Sequence, residues 1–183
     1  MSRDKILPDI INGMTIQEIN KRNLLDVKDA FDKFQLDFWL MQGTFLGLYR
    51  DGDIIPYDND VDLAIRNEDL QKFFETRDSL EALELEFIYE PAHRVLLPKH
   101  GGYLRNGVPV DVFFFEKVED KRVCRAIRKI TDRAFETYNE IEYQGRKFRI
   151  FHEPERWLKY LYGDNWRTPL KNRHASPEIF GEP

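Results

Sequence analysis

The stretch Gly43–Ile65, GTFLGLYRDGDIIPYDNDVDLAI, decides how the rest of the chain is read. It opens on a glycine followed by a small hydroxyl residue and closes on a strand-like run. Between these ends stand Asp51, Asp53, Asp58, Asp60 and Asp62. Side chains alternate faces along a strand, so Asp60 and Asp62 share a face while Val61, Leu63 and Ile65 take the other. Roughly fifty residues on, the run PVDVFFF sets Asp111 in a second apolar strand, flanked by Val110 and Val112 on its opposite face. An ionised carboxylate in apolar surroundings carries a large desolvation cost unless it is compensated. Three that converge also repel one another. A divalent cation relieves both, and magnesium takes oxygen ligands while keeping sites for a substrate phosphate. An Asp-x-Asp pair by itself is common at solvated strand ends, so it is Asp111 that gives the pair its weight.

The flanking sequence fits the same chemistry. Backbone N–H groups of a glycine turn before a helix can cradle a phosphate, which makes Gly43 and Thr44 candidate substrate-binding residues. The plainer role for Thr44 is to start a short helix over residues 44–50. Arg50 is the nearest cation for a leaving phosphate, or equally the ion-pair partner of Asp51 or Asp53. Asp58 reads as a loop cap or as a partner of the metal-holding pair. Arg105, in the turn before Asp111, is a further candidate to point into the site.

Working outward, Thr15 and Glu18 have capping-box spacing, and Ile16, Ile19, Leu24, Val27, Phe31 and Phe34 recur at helical spacing. They predict an amphipathic helix over residues 16–34, 15–35 with its caps. LDFWLMQG from Leu36 reads as a strand, residues 51–59 as a loop broken by Gly52 and Pro56, and DVDLAI as a strand. Asn67 is expected to cap a helix running to Phe74. LEFIY (85–89), HRVLL (93–97) and VPVDVFFFE read as strands, and HGGYLRNG as turns. Residues 118–137 have a helical pattern with a basic face. YQGRKFRIF suggests a hairpin around Gly145, and EPERWLKYLYG a short helix stopped by Gly163 at the head of a C-terminal segment, 150–183. The expectation is one α/β (α+β) domain over residues 1–183, a central mixed sheet flanked by helices.

Composition narrows the functions. With 183 residues, 42% hydrophobic and 33% charged, the chain has enough apolar material for a sizeable core. A net charge of −5 disfavours broad nucleic-acid binding. Cys124, the one cysteine, excludes an internal disulfide and a cysteine zinc cluster and suits a reducing compartment. The N-terminal MSRDKILPDI has no leader pattern, and no run of about 18 apolar residues occurs. A cytoplasmic location follows as an expectation, with peripheral membrane contact through the basic stretch KRVCRAIRKITDR. His93, His100, His152 and His174 lack metal-ligand spacing. Trp166 reads as core, with Arg167 beside it.

Glycine plus hydroxyl residue, Asp-x-Asp, and a third aspartate on a later strand resemble the nucleotidyltransferase superfamily of DNA polymerase beta and many antibiotic-modifying enzymes. The inserted arginine loop, proline, aromatic and aspartate cluster in Gly43–Ile65 resemble more narrowly the LicD and fukutin-related family. NGVPVDVFFF and YQGRKFRIFHEPERWLKYLYGDNWRTP fit that family's later segments, so the likeness spans about residues 36–170. Asn59 stands where the family often has aspartate. The resemblance implies a polymerase-beta-like fold and transfer of a phospho-alcohol, such as phosphocholine or ribitol phosphate, from a CDP-activated donor to a glycan hydroxyl. It implies that Asp60, Asp62 and Asp111 hold Mg2+ or Mn2+, with two ions, and that Gly43 and Thr44 face the phosphate. A nucleotidyltransferase moving a nucleoside monophosphate to a small-molecule hydroxyl, and a non-catalytic nucleotide-binding module, are the competing readings.

Overall fold

The computed structural model describes residues 10–90, 100–124, 128–171 and 179–180. A small ribbon of β1 (Ile10–Ile11) and β2 (Met14–Thr15) leads into α1 (Ile16–Lys33). The predicted capping box is present: the Thr15 hydroxyl accepts from the Glu18 N–H while the Glu18 carboxylate accepts from the Thr15 N–H at 2.8 Å. One face of α1 is buried, through Ile19, Leu24, Val27 and Phe31. The strand expected from Leu36 contracts to β3 (Trp39–Leu40), because the chain turns straight into α2 (Gln42–Arg50). The acidic loop then returns to β4 (Val61–Arg66), whose first five residues are buried. Asn67 makes no side-chain cap; a short 3-10 turn over Asn67–Asp69 precedes α3 (Leu70–Glu75), which gives way at Thr76 to α4 (Arg77–Glu81).

Three strands follow: β5 (Glu86–Glu90), β6 (His100–Arg105) and β7 (Val108–Val118). The predicted strand at 93–97 lies outside the described residues. The stretch from His100 is a strand and not a series of turns, because the apolar strand β7 offers it a ladder edge; only Asn106 and Gly107 turn, with φ of 54° and 84°. Positive φ at both positions is what a two-residue hairpin with the right-handed sheet twist requires.

Residues 118–137 depart furthest from expectation. In place of a helix, β7 runs on to Val118 and pairs with β8 (Lys121–Cys124), which pairs with β9 (Arg128–Thr131) ahead of the single turn α5 (Arg133–Glu136). Charges spaced like a helix's wet face are split between two faces of a hairpin. Arg122 turns inward and is neutralised by Glu68 and Asp132, each at 2.6 Å, with Lys117 also on Asp132. The predicted hairpin around Gly145 is formed by β10 (Tyr138–Tyr143) and β11 (Arg146–Phe151). Then α6 (Pro154–Tyr162) ends as expected at Gly163, in a left-handed conformation with φ 83°. The pair Ile179–Phe180, β12, adds a parallel edge to β9.

Among the described residues the large sheet runs β10-β11-β3-β4-β7-β8-β9-β12, with β6 also on β7 and β5 on β6. It is mixed: β4 and β7 are parallel, β3 and β4 antiparallel. Its core is strongly aromatic, with Trp39, Phe31, Phe73, Phe113, Phe115, Phe135 and Phe151 fully or almost fully buried. No described helix is long and apolar enough to cross a membrane.

One close approach fixes β6 against β7. A Cβ on Gly102 would lie 1.9 Å from the Val110 carbonyl oxygen, opposite Asp111 in the ladder. Both partners are backbone, so neither yields cheaply. Gly102→Ala is expected to cost about 2–3 kcal/mol of stability, read as a lowered urea midpoint. An unchanged midpoint would mean that the strand shifts freely.

Candidate functional site

The parallel ladder between β4 and β7 sets Asp62 directly opposite Asp111. Cross-strand partners share a face, so both carboxylates leave the sheet on the same side. Asp60 precedes β4 by one residue and joins them: carboxylate oxygens of Asp60, Asp62 and Asp111 all lie within 4.8 Å of one another. Asp62 is 5% exposed and the other two are half-buried. Ionised carboxylates this close repel by about 3 kcal/mol per pair at an effective dielectric of about 20. An all-oxygen set of this charge fits a hard divalent cation and does not fit a soft one.

The start of α2 completes the site. The Gln42 side-chain amide donates to Asp62 Oδ1 at 3.0 Å, and the Asp62 N–H donates to the buried Thr44 hydroxyl at 2.9 Å. The Met41 N–H donates to the Asp62 carbonyl at 3.0 Å. Gln42 holds φ 45°, a strained conformation for a residue with a side chain, and its hydrogen bond to Asp62 is what that geometry serves. Gly43 and Thr44 thus sit inside the first helical turn and not in a turn before it. Thr44 is neither the N-cap, which is Met41, nor an exposed phosphate donor; it is 1% exposed and fixes the Asp62 backbone.

Gly43 is needed for space. A Cβ there would fall 2.2 Å from Asp58 Oδ2. Asp58 therefore lies against the helix start, beside Asp60, which favours the partner reading over the loop cap. It is hydrogen-bonded to Asp60, and burial followed by the negative charge of Asp60 pushes its carboxyl up to about 8. With no cation present the proton belongs to the Asp58–Asp60 pair. Asp-x-Asp-x-Asp spacing over residues 58–62, with the tight Gly43, was the available signal. Gln42 gives no such signal.

Both candidate arginines are engaged with carboxylates outside the trio. Arg50 makes a two-pronged ion pair with Asp51 at 2.8 and 2.6 Å and donates to the Trp166 carbonyl at 3.3 Å. Its ion-pair reading is the one the structure holds, and it ties the C-terminal segment to α2. Trp166 is core, 6.1 Å from the Tyr49 ring, with Arg167 stacked on it at 4.3 Å. Arg105 does not enter the carboxylate pocket. It lies three residues from Gly102, the ladder partner of Asp111, and so takes the opposite face of the sheet. There it is buried against α1, donating to Asp26 and to the Leu83 carbonyl at 2.6 Å each.

A model of the nucleotidyltransferase domain of LicD/FKTN/FKRP matches residues 35–144, more than half of the chain. The chain belongs to this family. LicD-family likeness extends beyond that match: the chain is 29% identical over 167 residues to the Homo sapiens ribitol-5-phosphate transferase FKTN and 26% identical to that of Macaca fascicularis. Each alignment covers 88% of this chain and 36% of the relative, so the chain spans about a third of those proteins. An uncharacterized protein of Rickettsia prowazekii is 31% identical over 70 residues, 38% of this chain and 26% of its own length. Two solved structures share the fold. The lincomycin-bound lincosamide antibiotic adenylyltransferase LnuA superposes with a TM-score of 0.52 at 14% identity, covering 75% of this chain and 84% of its own. The solution structure of the antibiotic-resistance factor ANT(2″)-Ia gives 0.53 at 15%, with 81% and 74% covered. The mixed sheet expected from sequence is thus a nucleotidyltransferase fold.

The raised Asp58 carboxyl has a consequence for stability. A carboxyl shifted upward by folding stabilises fully only below the ordinary carboxylate range, and that contribution is lost as pH rises towards 8. In EDTA the melting temperature of the parent protein should fall between pH 5 and 8.5 more steeply than that of Asp58→Asn. Parallel curves would show that the pair carries no such proton.

Proposed function

We propose that the chain is a metal-dependent transferase that moves a phospho-alcohol, such as phosphocholine or ribitol phosphate, from a CDP-activated donor to a glycan hydroxyl. The observation that carries this reading is the convergence of Asp60, Asp62 and Asp111 within 4.8 Å in a member of this family. Its relatives named ribitol-5-phosphate transferase support the phospho-alcohol. Asp60, Asp62 and Asp111 would hold magnesium or manganese, with room in their joint charge for two ions. When bound, these ions stabilise charge on the donor pyrophosphate and lower the pKa of the attacking hydroxyl.

The chain's own groups supply the rest. The Gln42 amide holds Oδ1 of Asp62 and so fixes how that carboxylate is turned. Thr44 pins the same residue through its backbone, so the pocket is preorganised before donor binds. The Asp111 carboxylate accepts the proton of the attacking hydroxyl. That oxygen forms a bond to the phosphorus bearing the alcohol, the bond from this phosphorus to the bridging oxygen breaks, and CMP leaves. Positioning and charge neutralisation carry most of such a transfer. The adenylyltransferase fold of the solved neighbours favours nucleotidyl transfer as the second reading. Attack at the other phosphorus would then put CMP on the acceptor.

Metal-dependent release of CMP from a panel of CDP-alcohols, with product mass, decides between them. An acceptor gaining a phospho-alcohol supports the first reading, and one gaining a nucleotide the second. Asp111→Asn should lower turnover about a thousandfold, while leaving the melting temperature in EDTA at least as high as the parent's. Full turnover by this variant would remove Asp111 from the chemistry.

A further inference from the structure

The acidic loop is held from outside the family-matched residues. Three polar side chains of α1, at positions 17, 20 and 21 on one helical face, each reach it. The Gln17 amide donates to the Ile54 carbonyl at 2.6 Å, and the Asn20 amide to the Asp58 carbonyl at 3.0 Å. The Lys21 ammonium meets Asp53 Oδ2 at 2.6 Å. Asp53 is gripped from two further sides, by the Tyr143 hydroxyl at 2.8 Å and by the Ile54 N–H at 2.9 Å. Asn20 is fully buried, and among the described residues its Oδ1 has no hydrogen-bond partner. A buried amide with one end unsatisfied carries a stability cost of roughly 1–3 kcal/mol. What it does make is the bond to the carbonyl of Asp58, two residues before Asp60.

Resting on the metal-dependent reading above, we propose that Asn20 is a positioning residue for the metal-holding carboxylates. Its amide fixes the Asp58 peptide and so sets where Asp60 stands relative to Asp62 and Asp111. Groups that orient metal ligands typically change affinity 10- to 100-fold when removed, about the range expected here. Asn23, one turn along, is equally buried, and among the described residues neither of its side-chain polar atoms is hydrogen-bonded, to the loop or elsewhere. It supplies the matched control.

Asn20→Leu keeps the size, removes the donor, and also removes the unsatisfied Oδ1. Binding of Mn2+ to the full chain, followed by electron paramagnetic resonance, is compared with the melting temperature in EDTA. The expected result for Asn20→Leu is a Kd raised about tenfold or more with a melting temperature within a few degrees of the parent. For Asn23→Leu the Kd should stay within about twofold, whatever happens to stability. A parent that binds Mn2+ with Asn20→Leu binding equally well overturns the positioning role and leaves the metal reading standing. Equal losses of affinity in both variants also overturn it, since they show general softening. A parent that binds no Mn2+ overturns the metal reading and this inference with it.

Discussion

The register of one parallel strand pair governs this molecule. Asp62 opposite Asp111 is a choice the β4–β7 ladder makes once and cannot make by halves. Strand side chains repeat every two residues, so a slip of one would send Asp111 to the face of Val110 and Val112, into the core. The flanking aromatics hold the register in place. Phe113, Phe114 and Phe115 are buried on both faces of β7, and Ala64, Ile65 and Arg66 of β4 face them in the ladder. The cost of three close carboxylates is borne by a core that fits only one alignment.

From that pair the remaining devices follow in order of distance. Gln42 and Thr44 grip Asp62 from the start of α2. Asp58 fills the space left by the missing side chain of Gly43 and leans on Asp60. Behind these, α1 and Tyr143 hold the loop through Asp53 and the Asp58 carbonyl. Strain at Gln42 and a raised carboxyl at Asp58 are concentrated in the same few residues. That is the pattern of a site whose geometry is imposed by its surroundings.

Much of this could be read in the chain, and the parts that could not have identifiable reasons. Asp60, Asp62 and Asp111 were legible because alternation along apolar strands makes a polar intruder visible. The capping box at Thr15 and the Gly163 stop were legible because they are local. Residues 118–137 misled because charges three and four apart look the same in a helix and in a hairpin whose two faces are unknown. Arg105 misled because its distance from Asp111 in sequence says nothing of which face it takes until the β6–β7 register is known. Gln42 and Asn20 were silent: each works through one hydrogen bond to an element twenty or more residues away.

The order of strands at the sheet's far edge also bears on how small a working piece of this protein can be. The hairpin partner β11 stands between β10 and β3. A fragment excised at the limits of the family match, 35–144, would keep all three converging aspartates and end just before β11 begins. Its last strand would have no neighbour, β3 would become a raw edge beside the buried Trp39, and the helix that grips the acidic loop would be gone. The family's sequence signature is contained in a segment that cannot build the surface it stands on.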